Sequence, residues 1–143
     1  MKKIIYKISL YINLFKYWFK NYLNPVNKYR NIIFLENYFK NNKTGFYIDV
    51  GCFHPIRFSN TMFLYLKGWT GMNIDLSKKS VDLFKIARPK DINLNFGVGS
   101  KNETLDYFYN KKVFANNTFD MHFAKSFLKK DKIKKGTIEV KKT

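Results

Sequence analysis

Two carboxylates, Asp49 and Asp75, stand at the ends of two short apolar runs whose pattern predicts strands. The first run, residues 46–50, predicts a buried strand and is followed by Gly51, and the second, residues 71–75, ends on Asp75 itself. A carboxylate at the carboxyl end of a strand in an open α/β sheet can accept hydrogen bonds from both ribose hydroxyls of a nucleotide. We therefore expect Asp75 to bind a ribose and Asp49 to hold the cationic amino group of an aminoacyl moiety. Together the two residues predict a ligand of the adenosine type.

A glycine and a third strand end complete this predicted nucleotide site. Gly51 allows the backbone to approach a ligand closely where the first strand turns into a loop. Residues 95–98 end the third predicted strand and place Asn95 and Gly97 near the base. The sequence around Gly51 matches neither the three-glycine dinucleotide motif nor the Gly-Lys-Ser/Thr ending of a P-loop.

His54 follows Gly51 closely and has a side chain suited to acid–base chemistry. An imidazole that titrates near neutral pH fits a general base that deprotonates an acceptor hydroxyl. The alternative is a histidine that packs against Pro55 and hydrogen-bonds to the backbone. Cys52 has no neighbouring base in the sequence, and we interpret it as a small buried residue. No metal site is predicted, because no Cys/His cluster has the spacing of metal ligands.

An alternation of strands and helices after Gly45 positions these residues. One helix is expected to begin at a Ser59 cap and close at Gly68, and the next to begin at a Ser77 cap and stop before Pro89. This order predicts right-handed crossovers and a mostly parallel, doubly wound α/β sheet. The pattern predicts strands at residues 46–50, 71–75, 91–96, 104–109 and 137–140.

Residues 1–43 are expected to form a helical extension ahead of a domain that spans residues 44–143. Apolar residues at helical spacing predict one helix over residues 4–23, ended by Pro25, and another over residues 29–39. The first helix is basic and aromatic, which suits an interfacial anchor with peripheral contact to an anionic membrane. The alternative is an amphipathic helix that covers a sheet or a partner subunit, and lysines scattered around the helix favour it.

The charge and the cysteine usage bear on partners and compartment. The sequence has 27 Lys and Arg against 10 Asp and Glu, a formal net charge of +17 that would attract polyanions. Abundant Lys, Asn and Ile are typical of an AT-rich coding sequence, and no nucleic-acid-binding motif accompanies the charge, so a nucleic-acid partner is not expected. A single cysteine fits a reducing, cytoplasmic setting, and lysines interrupt the N-terminal run too often for a signal peptide or a membrane span.

Several segments occur in the order and spacing of one known family. They are residues 46–55 (FYIDVGCFHP), 58–61 (FSNT), 67–75 (KGWTGMNID) and 88–95 (RPKDINLN). Together these motifs closely resemble the FkbM-type methyltransferase domain. The resemblance covers residues 45–109 and, more faintly, residues 137–143.

The resemblance implies a Rossmann-like, class I methyltransferase fold. It also implies methyl transfer from S-adenosylmethionine to a hydroxyl of a sugar, a glycan or a small metabolite. The sulfonium is already an activated methyl donor, so the protein mainly has to align acceptor oxygen, carbon and sulfur. The resemblance places the methionine part of the cofactor beside Asp49, Gly51 and Cys52, the ribose at Asp75, and the pocket wall at Phe53, His54 and Asn60.

The sequence departs from the family pattern at two points. Cys52 stands where relatives commonly have Ala, a small change that should leave the pocket intact. A further strand with an Asp-x-Glu-Gly-type motif follows in the family but not after residues 137–140 here, so the resemblance implies a partial domain. The alternatives are a truncated accessory half-domain that binds another subunit or copy through an exposed sheet edge and the apolar N-terminal helix, and a basic nucleic-acid-binding module. An exposed apolar edge also predicts aggregation or oligomerisation.

Overall fold

The computed structural model describes residues 1–23, 30–109, 117–127 and 133–142. Within them the fold is mixed α/β, as the alternating pattern predicts. The helices are α1 (Lys2–Leu23), α2 (Arg30–Tyr38), α3 (Met62–Leu66), α4 (Lys78–Ala87) and α5 (Met121–Phe127). The strands are β1 (Phe46–Val50), β2 (Thr70–Ile74), β3 (Ile92–Leu94), β4 (Gly97–Gly99), β5 (Glu103–Tyr109) and β6 (Lys134–Lys142).

The first sheet contains the first three strands, all parallel, in the order β1-β2-β3. The register pairs Tyr47 with Gly71 and Asp49 with Asn73. Asn73 pairs in turn with Asn93. The three strands predicted from the apolar runs are therefore confirmed. Their spatial order follows the chain, and among the described residues no strand pairs with the outer edge of β1.

A second sheet, in the order β4-β6-β5, corrects the prediction for the third strand. The predicted strand over residues 91–96 ends at Leu94, and Gly97 belongs to β4, which pairs with β6 instead. The Asn95 side chain explains the break, because its Nδ2 donates to the carbonyls of Asp75 and Leu76 at 2.8 and 3.0 Å. β5 and β6 form the antiparallel pair of this sheet.

The two faces of the first sheet correct the prediction that β1 is buried. Tyr47 is buried, but Phe46, Ile48 and Val50 are 54%, 64% and 58% exposed. Successive side chains on a strand point to opposite faces. Helix α3 covers the face of Tyr47 through Leu64, and nothing in the described parts of the chain covers the β1 side chains of the opposite face to the same degree.

The helix caps agree with the sequence at one position and differ at another. Ser77 caps α4 as predicted, and its side chain accepts a hydrogen bond from the Ser80 N–H. The prediction for Ser59 is wrong, because α3 begins after Thr61 and the Ser59 hydroxyl instead accepts a bond from Arg88. Gly68 closes α3 with a φ of 90°, a conformation that favours glycine.

Helix α1 matches the predicted N-terminal helix and packs on the domain rather than standing apart from it. Leu10 and Leu14 are buried against Leu83 of α4. The expected stop at Pro25 and the first residue of the second predicted helix, Tyr29, lie outside the described residues. No helix among the described residues is long and apolar enough to cross a membrane.

Candidate functional site

The loop after β1 lies against the carboxyl end of β2. The backbone N–H groups of Gly51 and Cys52 both donate to the Ile74 carbonyl, at 2.9 and 3.2 Å. Gly51 has a φ of 74°, and a Cβ added there would meet no atom of the described structure within 4 Å. Glycine is therefore required at this position by the backbone conformation and leaves open space beside the turn.

The Asp75 carboxylate is held in a fixed orientation at the end of β2. Its Oδ2 accepts a hydrogen bond from the Phe53 N–H at 2.8 Å, and its Oδ1 accepts one from the Ser77 N–H at 2.7 Å. Burial raises the pKa of this carboxyl above its ordinary value, and these two N–H groups oppose the rise. Each oxygen keeps a second lone pair for a further donor. Asp75 thus combines a fixed direction with unused acceptor capacity.

Asp49 lies on β1 and faces the side of the sheet that the helices cover. Its Oδ2 accepts a hydrogen bond from the Thr61 hydroxyl at 2.8 Å. Burial raises the pKa of the Asp49 carboxyl, while Thr61 and the nearby Arg88 guanidinium lower it by less. Asp49 in turn raises the pKa of Asp75, so the two predicted carboxylates lie close enough to influence each other.

Two aromatic residues of the loop have strained backbones. Phe53 and Phe58 have φ values of 56° and 55°, which bulky side chains rarely adopt. The Arg57 guanidinium lies over both rings, 5.8 Å from the centroid of Phe53 and 4.6 Å from that of Phe58. Strain of this kind is maintained only where surrounding contacts impose it, and it is common at ligand sites. Phe53 is buried, whereas Phe58 is 45% exposed.

Cys52 is buried, as expected of a small residue that packs in the interior. Burial raises the pKa of its thiol, and the nearby Asp75 and Asp49 carboxylates raise it further. The thiol is therefore protonated at neutral pH, which removes the nucleophile that a reactive cysteine needs.

His54 is buried, and both of its ring nitrogens are engaged. Nδ1 accepts hydrogen bonds from the N–H groups of Ile56 and Arg57, each at 3.0 Å. Nε2 therefore carries the ring proton and donates to Asn13 Oδ1 of α1 at 2.9 Å. Burial, assisted by the Arg57 and Arg88 charges, lowers the pKa of His54 to about 4. This geometry favours the alternative of a backbone-bonded histidine and offers no free basic nitrogen to an acceptor.

Arg88, at the end of α4, is the residue that organises the loop. Its Nη2 donates to the Pro55 carbonyl at 2.7 Å and to the Ser59 hydroxyl at 2.8 Å. Its Nη1 donates to the Thr61 hydroxyl at 2.8 Å and to the Tyr47 hydroxyl at 3.1 Å. The side chain is only 1% exposed. Through Thr61, Arg88 is linked to the Asp49 carboxylate.

A second carboxylate, Asp91, extends this network along the covered face of the sheet. It accepts hydrogen bonds from the Tyr47 hydroxyl, from Asn73 Nδ2 at 2.9 Å and from the Gly71 N–H at 3.0 Å. Asn73 Nδ2 also donates to Asn93 Oδ1 at 2.9 Å. Asn73 Oδ1 is buried and has no hydrogen-bond partner among the described residues. The Arg88–Asp91 network therefore joins all three strands of the sheet to the loop.

Sequence reasoning assigned no site role to Arg88, although a signal was present. Only three of the 27 basic residues are arginine, and two of them, Arg57 and Arg88, contact this loop. A guanidinium offers five donors in a planar fork, which a lysine cannot reproduce. In a chain so rich in lysine, an arginine marks a position where that geometry matters.

The remaining predicted site residues are Asn60, Asn95 and Gly97, and their surroundings differ. Asn95 is exposed, and its amide bonds to the chain just after β2, so it lies beside Asp75. Asn60 is exposed on the loop. Gly97 is buried in β4, where an added Cβ would lie 2.6 Å from the Phe119 ring. Packing explains this glycine, so its predicted place near a base has no support in the geometry.

Within the parts of the chain that the structure describes, no group of three or more His, Cys, Asp or Glu residues could hold a metal ion. Comparison of the chain with protein-family models, with curated proteins and with solved structures found no match.

Proposed function

We propose that this chain binds S-adenosylmethionine at the carboxyl ends of β1 and β2 and acts as an O-methyltransferase of the class I, Rossmann-like type. The observation that carries the proposal is the Asp75 carboxylate, oriented by two backbone N–H groups beside the open turn at Gly51. Nucleotides bind open α/β sheets at this end of the strands, where the strand order reverses. β1 is an edge strand among the described residues, which is compatible with such a reversal beside it.

The residues around the turn fit the parts of the cofactor. The free lone pairs of Asp75 suit two ribose hydroxyls, because each hydroxyl can donate one hydrogen bond to a carboxylate oxygen. Asp49 supplies a negative charge for the amino group of the methionine part, and that cation would favour the ionised form which burial disfavours. Gly51, Cys52 and Phe53 would border the methionine part, and Asn95 the adenosine side.

The bound cofactor supplies a methyl group already activated by its sulfonium. The contribution of the protein is to hold the acceptor hydroxyl in line with that methyl and to exclude water. His54 serves in this proposal as a positioning residue, because its two acceptor bonds and one donor bond fix the loop to α1. The acceptor class, a hydroxyl of a sugar or small metabolite, is proposed from the sequence resemblance alone.

The test is calorimetric titration of the full chain with S-adenosylhomocysteine, the product form of the cofactor. Binding in the micromolar range is expected for the wild-type chain. Asp75→Asn should weaken it at least about tenfold, because one carboxylate oxygen becomes an amide that cannot accept a hydrogen bond. The matched control is Asp106→Asn on β5, which makes the same chemical change at a surface ion pair with Lys135.

Two results would count against the proposal. One is the absence of any heat of binding from a chain whose circular dichroism shows it to be folded. The other is equal weakening by Asp75→Asn and Asp106→Asn, which would show that the loss reflects charge rather than the loop. Weakening by Asp75→Asn alone supports the site.

A second candidate function is an accessory half-domain that associates with another subunit. The exposed apolar side chains of β1, Phe46, Ile48 and Val50, favour it, because a parallel sheet is ordinarily covered on both faces. A folded chain that binds no S-adenosylhomocysteine but forms a stoichiometric complex, abolished by Ile48→Lys, would support this second candidate.

A further inference from the structure

Helix α1 has an inward face that attaches it to the rest of the protein. Leu10 and Leu14 are buried against α4, and the Tyr6 hydroxyl donates to Asp82 Oδ2 at 2.8 Å. Asn13 accepts the hydrogen bond from His54, and the Tyr17 hydroxyl accepts one from Arg57 at 3.3 Å. These residues recur at three- and four-residue spacing and so define one face of the helix.

The opposite, outward face of α1 is apolar and exposed. At 100° per residue the centre of this face lies on the far side of the helix from Leu10 and Leu14, at Ile8, Ile12, Phe15 and Phe19, and the face extends as far as Trp18 beside Leu14. Three ring contacts, Phe15 with Trp18, Phe15 with Phe19 and Trp18 with Tyr22, join the aromatic residues into one surface, with centroids 5.9 to 6.3 Å apart. The outward face comprises Ile4, Ile8, Tyr11, Ile12, Phe15, Trp18, Phe19 and Tyr22, each between 47% and 73% exposed.

Four of the five lysines of α1 lie along the two borders of this outward face. Lys2, Lys16 and Lys20 fall on one border and Lys7 on the other, whereas Lys3 falls on the inward side of the first turn. The helix contains no Asp or Glu. Seen in sequence alone these lysines look scattered, but once the inward face is known four of them flank the apolar surface on both sides. Lysine stems in such positions cover apolar surface while the ammonium groups reach polar surroundings.

We propose that the outward face of α1 docks on a membrane surface rich in anionic phospholipids. An apolar stripe bordered by lysines, with Trp and Tyr among the apolar residues, suits the boundary between headgroups and acyl chains. The flanking lysines complement the negative charge of the headgroups, and the net charge of +17 adds long-range attraction.

The same observations disfavour two other occupants of the outward face, a second copy of the chain and a nucleic acid. A second copy of the chain would bring the four bordering lysines of one α1 against the four of the other, with no carboxylate on either helix to pair them. A nucleic acid would be attracted by the lysines, but Ile4, Ile8 and Ile12 in the centre of the face offer nothing to phosphates or to stacked bases. This inference does not depend on the methyltransferase proposal.

The test is flotation of the full chain with vesicles of phosphatidylcholine alone or of an equimolar mixture with phosphatidylglycerol. Partition into the mixed vesicles should exceed that into phosphatidylcholine by about tenfold or more. The double variant Phe15→Ser/Trp18→Ser should lower partition into the mixed vesicles by about tenfold. The matched control is Phe46→Ser, which removes an equally exposed ring from β1 and should leave partition unchanged.

The fluorescence of Trp18 gives a second measurement of membrane binding. The chain has two tryptophans, and Trp69 is buried, so Trp69→Phe leaves Trp18 as the reporter. Its emission should shift to shorter wavelength on addition of mixed vesicles and not of phosphatidylcholine vesicles. The variant Lys16→Glu/Lys20→Glu should abolish this difference between the two lipids.

Four results would overturn the proposal. The first is equal partition into both kinds of vesicle, and the second is an equal loss from Phe46→Ser. The third is a dimer in sedimentation equilibrium that the Phe15→Ser/Trp18→Ser variant dissociates without changing vesicle binding. The fourth is an unchanged partition in that variant together with lost binding to an oligonucleotide. Circular dichroism of each variant checks that these exposed substitutions leave the fold intact.

Discussion

The two faces of the first sheet differ in polarity and in solvent exposure. In most sheets the covered face is the apolar one, but here the covered face is polar. The covered face contains Tyr47, Asp49, Asn73 and Asn93, which are polar, and their bonds to Arg88 and Asp91 continue beneath the helices. On the opposite face, the β1 side chains Phe46, Ile48 and Val50 are apolar and more than half exposed, whereas Ile74 of β2 on that face is buried. Burial of polar groups is unfavourable unless they are hydrogen-bonded.

This difference shows that the covered face depends on specific partners rather than on general apolar packing. Each polar group there relies on a residue from a distant part of the chain, and the loss of one leaves others buried without a partner. The exposed face has no such dependence, because its side chains have few partners to lose among the described residues. Substitutions on the two faces should therefore have effects of very different size.

The largest effect is expected for Arg88→Met, which removes four hydrogen bonds from the covered face at once. The free energy of unfolding should fall by about 3 kcal/mol or more, because four buried acceptors lose their donor and the Asp49 carboxylate loses a nearby positive charge. Urea denaturation followed by circular dichroism measures the change. Lys85→Met, an exposed position on the same helix, is the control and should change the stability little. Similar losses in both variants would contradict the role given to Arg88.

The next largest effect is expected in the pH dependence of the free energy of unfolding. It arises from His54, which links the covered loop to α1. Its pKa is lowered to about 4 from 6.5, so the unfolded chain binds a proton between these values and the folded chain does not. Stability from this group is complete above pH 6.5 and is lost as the pH falls towards 4, by at most about 3 kcal/mol. The raised pKa values of Asp49 and Asp75 act in the opposite direction, since they favour the folded state as the pH falls.

Comparison of the wild-type chain with His54→Asn isolates the histidine from those carboxylates. Asn retains a side-chain acceptor for the loop N–H groups but does not titrate. Its stability should therefore decline less than that of the wild-type chain between pH 6.5 and 4 in thermal or urea denaturation. His122→Asn on the exposed surface of α5 should keep the wild-type slope. Parallel profiles for all three chains would exclude the proposed linkage.

A smaller effect is expected for Tyr47→Phe, at the centre of the covered face. The Tyr47 hydroxyl donates to Asp91 and accepts from Arg88, but both partners keep other hydrogen bonds. Removal of the hydroxyl alone should lower the free energy of unfolding by about 1 to 3 kcal/mol. Because the ring remains, packing against Leu64 is preserved, and denaturation then measures the hydrogen bonds. An unchanged midpoint would show that the hydroxyl contributes nothing to the network.

The smallest effect is expected for Ile48→Lys, one residue along the same strand but on the exposed face. Its stability should change by no more than about 0.5 kcal/mol, because the side chain is already 64% exposed. The substitution should instead reduce self-association, measured by light scattering over a range of concentrations. A large loss of stability would mean that this face is covered in the folded chain, and the contrast between the faces would disappear.

The parts of the fold that follow from local pattern could be predicted from the sequence. The apolar runs, the Ser77 cap and the helical spacing of residues 4–23 each depend on neighbours a few residues apart. The positions of Asp49 and Asp75 at the carboxyl ends of neighbouring strands follow from the same local reasoning. These elements agree with the structure within a few residues at their ends.

The errors arose where a distant residue decides the outcome. Serine is a common helix cap, but the Ser59 hydroxyl instead accepts a hydrogen bond from Arg88, 29 residues later. The alternation in β1 is visible in the sequence, yet nothing local indicates that its polar side is the covered one. That choice depends on Arg88 and Asp91, which lie 41 and 44 residues after Tyr47. Similarly, the Asn95 side chain ends β3 by binding carbonyls 20 and 19 residues earlier.

The separation between Arg88 and the loop also has a consequence for the order of folding. Pro55, Ser59 and Thr61 precede Arg88 by 33, 29 and 27 residues, so the loop is synthesised before its anchor. Closing a loop of that length carries an entropic cost that is recovered only when the guanidinium reaches all its acceptors. We therefore expect the turn at Gly51 to acquire its final shape in the same step in which α4 docks on the sheet. A nascent chain stalled before Arg88 would contain both carboxylates of the proposed site but not the site itself.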